Sequence, residues 1–108
     1  MPEPGDIVIV RFPGAVVTKS RPAVVVSSRE YHDARPDCVL ALVTSNVSAA
    51  NTAFDHVLAD WESAGLEQPS AVRTYFGMAV ARNLDVIGKL SDRDFAALKR
   101  CLAPAMAK

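Results

Sequence analysis

Cysteine is scarce in this 108-residue chain: Cys38 and Cys101 are the only two, and no Cys-x-x-Cys spacing joins them. A zinc site or a thiol redox motif is therefore unsupported, and no metal is expected. Cys38 begins an apolar run and Cys101 falls on a helical face, so both read as small buried apolar residues. Long apolar runs are missing too. None approaches the roughly 20 residues of a membrane span. The start, Met1-Pro2-Glu3-Pro4-Gly5-Asp6, has neither the basic opening nor the apolar stretch of a signal peptide, so no membrane association and a cytoplasmic location are expected. Excess charge of one sign is absent, with 12 Lys and Arg against 12 Asp and Glu, so total charge does not advertise a nucleic-acid partner. Only seven aromatic residues are present, so any platform for stacking bases has to be small, built from Tyr31, Tyr75, Phe76 or Trp61. No GxGxxG, P-loop, HExxH or GxSxG pattern occurs, which leaves dinucleotide, nucleotide-triphosphate, zincin and α/β-hydrolase chemistries without support, and no cofactor is expected.

The length suits one domain, residues 1–108, with room for a single core. Charge is unevenly spread. Residues 51–68 carry Asp55, Asp60, Glu62 and Glu67 with no Lys or Arg, whereas residues 73–108 carry seven Lys or Arg against three Asp. This permits a local basic face, or ordinary solvated surface charge.

Ile7-Val8-Ile9-Val10-Arg11-Phe12 is rich in β-branched residues and reads as a strand, broken by Pro13-Gly14. A short loop follows over residues 14–20. Pro22 has no N–H to donate, so it suits the first position of a second strand that continues over residues 23–28. Residues 29–37 are polar and read as a connection. Residues 38–45 form a third strand, apolar on both faces and so expected to be central. Shorter strands are expected at residues 54–58 and 70–76. Between them, residues 60–66 suit a helical turn ended by Gly65. Residues 80–87 are ambiguous between helix and strand. Ser91-Asp92-Arg93-Asp94 has the form of a capping box. Phe95, Leu98 and Leu102 then keep helical spacing, Lys99 and Arg100 suit the last turn, and Pro104 ends it. About five strands in succession, without helical crossovers, give a mainly β fold: an antiparallel, barrel-like sheet with a C-terminal helix.

Arg21 stands beside a proline at the edge of a very apolar strand. Its guanidinium offers a planar two-point fork to phosphate, or it ties down the nearby loop or pairs with an acid. Thr44 and Ser45 end the central strand, where hydroxyls could donate to a phosphoryl oxygen or simply cap a turn with Asn46. Arg73 sits within a strand-like run, as a phosphate clamp or a surface charge. His32 and His56 are of a type that could exchange protons near neutral pH, but neither lies in a ligand or catalytic spacing.

Taken together, Gly5-Asp6-Ile7-Val8 with Phe12-Pro13, then Ser20-Arg21-Pro22-Ala23-Val24-Val25-Val26, then a strand ending in Thr44-Ser45, resemble the MazF/PemK (Kid) toxins of bacterial toxin–antitoxin systems. Trp61-Glu62-Ser63-Ala64-Gly65-Leu66, Pro69-Ser70-Ala71-Val72-Arg73 and Ile87-Gly88-Lys89-Leu90-Ser91 are similar to the PemK-like branch. The resemblance covers nearly the whole chain. It implies an SH3-like small β-barrel of the CcdB/PemK type and a homodimer. It implies cleavage of single-stranded RNA without metal, giving 2′,3′-cyclic phosphate and 5′-hydroxyl ends, and a cognate antitoxin that blocks the RNA groove. It maps catalytic roles onto Arg21, Thr44 and Arg73, and RNA contacts onto Lys19, Ser20, Ser45, Asn46, Thr74 and Tyr75. The chain departs from the branch at Tyr75, where an aspartate can stand, and in residues 15–19, which lack a glutamate common before the Arg-Pro pair. The alternatives are a non-catalytic SH3-like binding module and a gyrase inhibitor of the CcdB type.

Overall fold

A computed structural model describes residues 1–12 and 19–108, with side chains for all of these except 11, 12, 19 and 20. The break at Pro13-Gly14 and the loop that follows lie outside the described residues up to position 18. The elements run β1 (Asp6–Phe12), β2 (Lys19–Val25), α1 (Arg29–Ala34), β3 (Asp37–Thr44), β4 (His56–Val57), β5 (Ala71–Val80), β6 (Asp85–Lys89) and α2 (Asp92–Ala105). The six strands form one curled antiparallel sheet in the order β4-β5-β3-β2-β1-β6. This is the mainly β, barrel-like fold with a C-terminal helix expected from the sequence.

Alternation along the strands sends apolar side chains to both faces of the sheet. On one face Ile7, Val24, Ala41, Val43 and Val72 join Leu58, Ala64 and Leu90, and Leu98 of α2 closes this cluster with Phe95 and Leu102 against it. On the other, Val8, Val10, Ala23, Val25, Cys38 and Leu40 meet Ala81 and Leu84. β3 contributes to both clusters, as its unbroken apolar run requires, and lies inside the sheet. Burial pushes the Cys38 thiol up, away from reactivity. Cys101 is half-buried, with Sγ 3.6 Å from the Asp55 carbonyl.

Several local expectations are corrected. Residues 29–34 form a short helix because Ser28 caps it, its Oγ accepting from Tyr31 N–H at 3.1 Å. The fourth strand shrinks to two residues, while β5 runs on to Val80 because β3 is long enough to pair with it as far as Asp37. The ambiguous stretch 80–87 divides: Val80 ends β5, Ala81–Asn83 form a short 3-10 helix, and residues 85–87 open β6, a sixth strand drawn into the sheet by pairing with β1. Pro22 stands inside β2, facing Ile9 of β1. The pairing with β3 begins only at the next residue, Ala23, so the missing N–H costs no bond there. The turn over residues 60–66 forms and ends at Gly65, whose φ of +90° favours glycine. The turn presses on β6 so closely that a Cβ on Gly88 would lie 1.9 Å from the Ala64 carbonyl oxygen. Pro104 lies within α2, and Lys99 and Arg100 precede its last turn.

The expected capping box is half right. Ser91 caps α2, accepting from Asp94 N–H at 3.3 Å. The Asp94 carboxylate instead leaves the helix. It accepts from the backbone N–H of Ala59 at 2.9 Å and of Asp60 at 2.8 Å, and contacts His56 Nε2 at 2.8 Å. Asp60 in turn binds Arg93 and Ser91. These bonds fasten α2 across residues 56–60. Asp94→Ala orphans two backbone donors and a ring nitrogen, so unfolding free energy measured in urea is expected to fall by about 3 kcal/mol. Burial of the 1% exposed Asp94 pushes its carboxyl up, but the Ala59 N–H, the His56 ring and the Asp60 N–H outweigh that and hold it below its ordinary value. A depressed carboxyl contributes stability fully above about pH 4 and loses it as pH falls further, so wild type and Asp94→Ala should converge in acid. A gap unchanged from pH 7 down to pH 3 would contradict this.

Candidate active site

The ends of β2 and β3 define the site. Val10 pairs with Arg21, and Ala23 with Leu42. Extending the second register by two residues sets Arg21 level with Thr44, and directly opposed residues of neighbouring strands share a face. Both residues line one cleft of about 550 Å³, together with Ser45. Ile9, Pro22 and Val43 give the cleft an apolar floor, and Glu67, Gln68 and Ser70 come in from the segment between the Gly65 turn and β5.

Arg21 is exposed and has no hydrogen-bond or ion-pair partner among the described residues. Among the described residues nothing competes for the guanidinium, which can meet an anion in the cleft. The Thr44 side chain is fixed by its own turn: its Oγ1 accepts from Asn46 N–H at 3.1 Å. A hydroxyl that accepts in this way still has its proton to donate. The capping reading and the binding reading of Thr44 are thus compatible. Ser45 is exposed at the same rim. The side chain of Asn46 is occupied by Ser48, whose Oγ donates to Asn46 Oδ1 at 2.7 Å.

Arg73 is not among the residues lining this cleft. It stands two residues along β5 from Ala71, the partner of Thr44. Its Nε is buried without a hydrogen bond, 3.9 Å from Oδ1 of Asp55, whose side chain is only 4% exposed. Thr74 is half-buried on the same strand, and Tyr75 is 67% exposed. The side chains of Lys19 and Ser20 lie outside the described residues. Both histidines are occupied elsewhere: His32 Nε2 lies 2.5 Å from Ser27 Oγ near α1, and His56 meets Asp94. Two cations of the basic C-terminal region are engaged within the fold. Arg93 is paired with Asp60, and the Lys99 ammonium lies 4.7 Å from the centre of the Phe95 ring.

Glu67 is the residue that sequence reading passed over. It appeared only as one of several acids in an acidic stretch, yet it is the one carboxylate among the residues lining the cleft. The available signal was Gly65, whose turn against β6 directs the following segment back over the strand ends. Among the described residues no three His, Cys, Asp or Glu side chains are grouped so as to hold a metal ion. No helix formed by these residues is long and apolar enough to cross a membrane.

A family model described as PemK-like, MazF-like toxin of type II toxin–antitoxin system matches residues 3–106, and the chain belongs to that family. Solved structures agree on the fold. An endoribonuclease in complex with its cognate antitoxin, from a mycobacterial species, is 17% identical with a TM-score of 0.79, over 97% of this chain and 94% of that one. A chain of the MazE–MazF crystal structure from Deinococcus radiodurans is 20% identical with a TM-score of 0.72, over 96% of this chain and 93% of that one. The Mycobacterium tuberculosis toxin MazF-mt6 is 21% identical with a TM-score of 0.72, over 93% and 94% respectively. None of the curated proteins matches the sequence.

Proposed function

We propose that this chain is the toxin of a type II toxin–antitoxin pair and acts as a metal-independent, sequence-specific endoribonuclease on single-stranded RNA in the cytoplasm. The observation that carries the reading is the Arg21 guanidinium, without a partner among the described residues and level with the Thr44 hydroxyl at the rim of one cleft. Membership of the toxin family supports it. So do similar folds described as endoribonucleases, one of them bound to its antitoxin. A homodimer that a cognate antitoxin covers belongs to the same proposal.

In this mechanism the 2′-hydroxyl of the RNA attacks the adjacent phosphorus. A new P–O2′ bond forms, the P–O5′ bond breaks, and the products are a 2′,3′-cyclic phosphate and a 5′-hydroxyl. Negative charge builds on the phosphoryl oxygens in the transition state. Arg21 stabilises it with its two-point fork and Thr44 with its hydroxyl. Arg73, which does not line the cleft, assists through its positive charge from the neighbouring strand β5. A protonated arginine cannot take the 2′-hydroxyl proton, so that role falls to the Glu67 carboxylate in the same cleft. The leaving 5′-oxygen takes its proton from solvent. DNA, lacking the 2′-hydroxyl, is not cut.

Purified protein incubated with single-stranded RNA in excess EDTA is expected to release fragments at defined sequences. Their 5′ ends should accept phosphate from a polynucleotide kinase without prior dephosphorylation. RNA left intact, or fragments with 5′-phosphate ends, would overturn the reading.

A further inference from the structure

Beside the phosphate-facing rim, on the same side of the sheet as Arg21, lies a second and smaller cleft of about 180 Å³. Arg21 lines both. The strand register explains the small cleft. Ala23 pairs with Leu42, and Leu40 with Gly77, which places these residues on the face that carries Arg21. Gly77 contributes no side chain, and a Cβ built there would meet nothing within 4 Å. Its φ is not positive, so the backbone does not require glycine. The space above Leu40 and Leu42 is open because residue 77 is a glycine.

One wall is aromatic. Between the Val43–Val72 and Ala41–Phe76 pairs, β5 spends three residues, 73–75, against the single Leu42 of β3. The bulge projects this stretch, and Tyr75 stands 67% exposed at the cleft. The other rings considered for stacking are placed differently. Trp61 is packed against the buried cluster under α2, and the Tyr31 hydroxyl lies 3.5 Å from Asp37.

We propose that this cleft holds one nucleobase of the RNA, stacked on Tyr75 and resting on Leu40 and Leu42, while the neighbouring phosphate is held by Arg21. The proposal rests on the RNA-cleavage reading above and adds a base subsite to it. Three observations favour a base. A cavity of about 150 Å³ is enough for benzene, so this volume suits a single planar ring rather than a folded partner. The apolar walls and exposed ring offer stacking, which every base accepts. The charge at the cleft's edge is a guanidinium, complementary to the phosphate that a base carries with it in a nucleotide.

The test compares wild type, Tyr75→Ala, Tyr75→Phe and Gly77→Val in cleavage of a mixed-sequence RNA, reading kcat, KM and the sequence at each cut end. Tyr75→Ala is expected to raise KM roughly 5- to 150-fold, the range of base–aromatic stacking, and to flatten the base preference at one position beside the cut. Gly77→Val, which fills the space, should do the same with an unchanged melting temperature, and Tyr75→Phe should restore both KM and preference. Tyr75→Ala and Gly77→Val with wild-type KM and preference would overturn the subsite while leaving RNA cleavage standing. If the two variants instead change only the molecular mass in solution, the face is a contact between copies and the subsite is likewise overturned. RNA left intact by wild type would overturn the subsite and the cleavage reading together.

Discussion

Arg21→Ala is expected to cut RNA about 100- to 1,000-fold more slowly than wild type, the loss typical when one preorganised donor to a developing oxyanion is removed. Stability should be unaffected. The side chain is exposed and makes no bond within the described residues, so no contact among them is lost with it. This separates Arg21 from Arg73, whose Nε is buried beside Asp55 and whose removal takes away that carboxylate's ion-pair neighbour among the described residues. Arg21→Lys keeps the charge but loses the planar fork, and should recover only part of the rate. Single-turnover cleavage of one labelled oligonucleotide, with urea unfolding of the same preparations, measures both effects. Equal rates for wild type and Arg21→Ala would remove Arg21 from the mechanism.

The second large effect is expected at Glu67. Glu67→Gln keeps size and hydrogen-bonding capacity but cannot accept the 2′-hydroxyl proton, so kcat should drop about 100- to 10,000-fold with KM nearly unchanged. The position is exposed, so the substitution should not disturb packing. Its importance follows from elimination as well as placement. His32 and His56, the other natural proton acceptors, are held by Ser27 and Asp94 away from the cleft. The position two residues after Arg73, where the family resemblance allows an aspartate, is Tyr75 here. A rise in KM with unchanged kcat would make Glu67 a binding residue and leave the proton acceptor elsewhere. Full activity in Glu67→Gln would exclude both roles.

The sequence made the strands legible because their apolar content is high and the turns between them are marked. β3 could be recognised as central from its unbroken run of Val39-Leu40-Ala41-Leu42-Val43, since only a strand covered on both faces tolerates that pattern. What escaped depends on tertiary pairing. β6 is a strand because β1 offers an edge, and residues 80–87 alone do not favour strand over helix. The local motif at Ser91–Asp94 read as a closed capping box, yet backbone donors at Ala59 and Asp60 take the Asp94 carboxylate from across the fold. The site divides in the same way. Arg21 and Thr44 were legible because strand ends fix them. Glu67 was not, because its place in the cleft is set by how the Gly65 turn packs against β6. The open space over Gly77 required the register between β3 and β5.

The most direct measurement uses one RNA oligonucleotide carrying a mapped cut site, and the same oligonucleotide with a single 2′-deoxyribose at the nucleotide that supplies the attacking hydroxyl. Both are digested with wild-type protein in EDTA. The all-ribose strand should be cut to a 2′,3′-cyclic phosphate, and the substituted strand should stay intact at that linkage while still competing for binding. Cutting of the substituted strand at the same linkage would contradict attack by the 2′-hydroxyl at the Arg21–Thr44 rim.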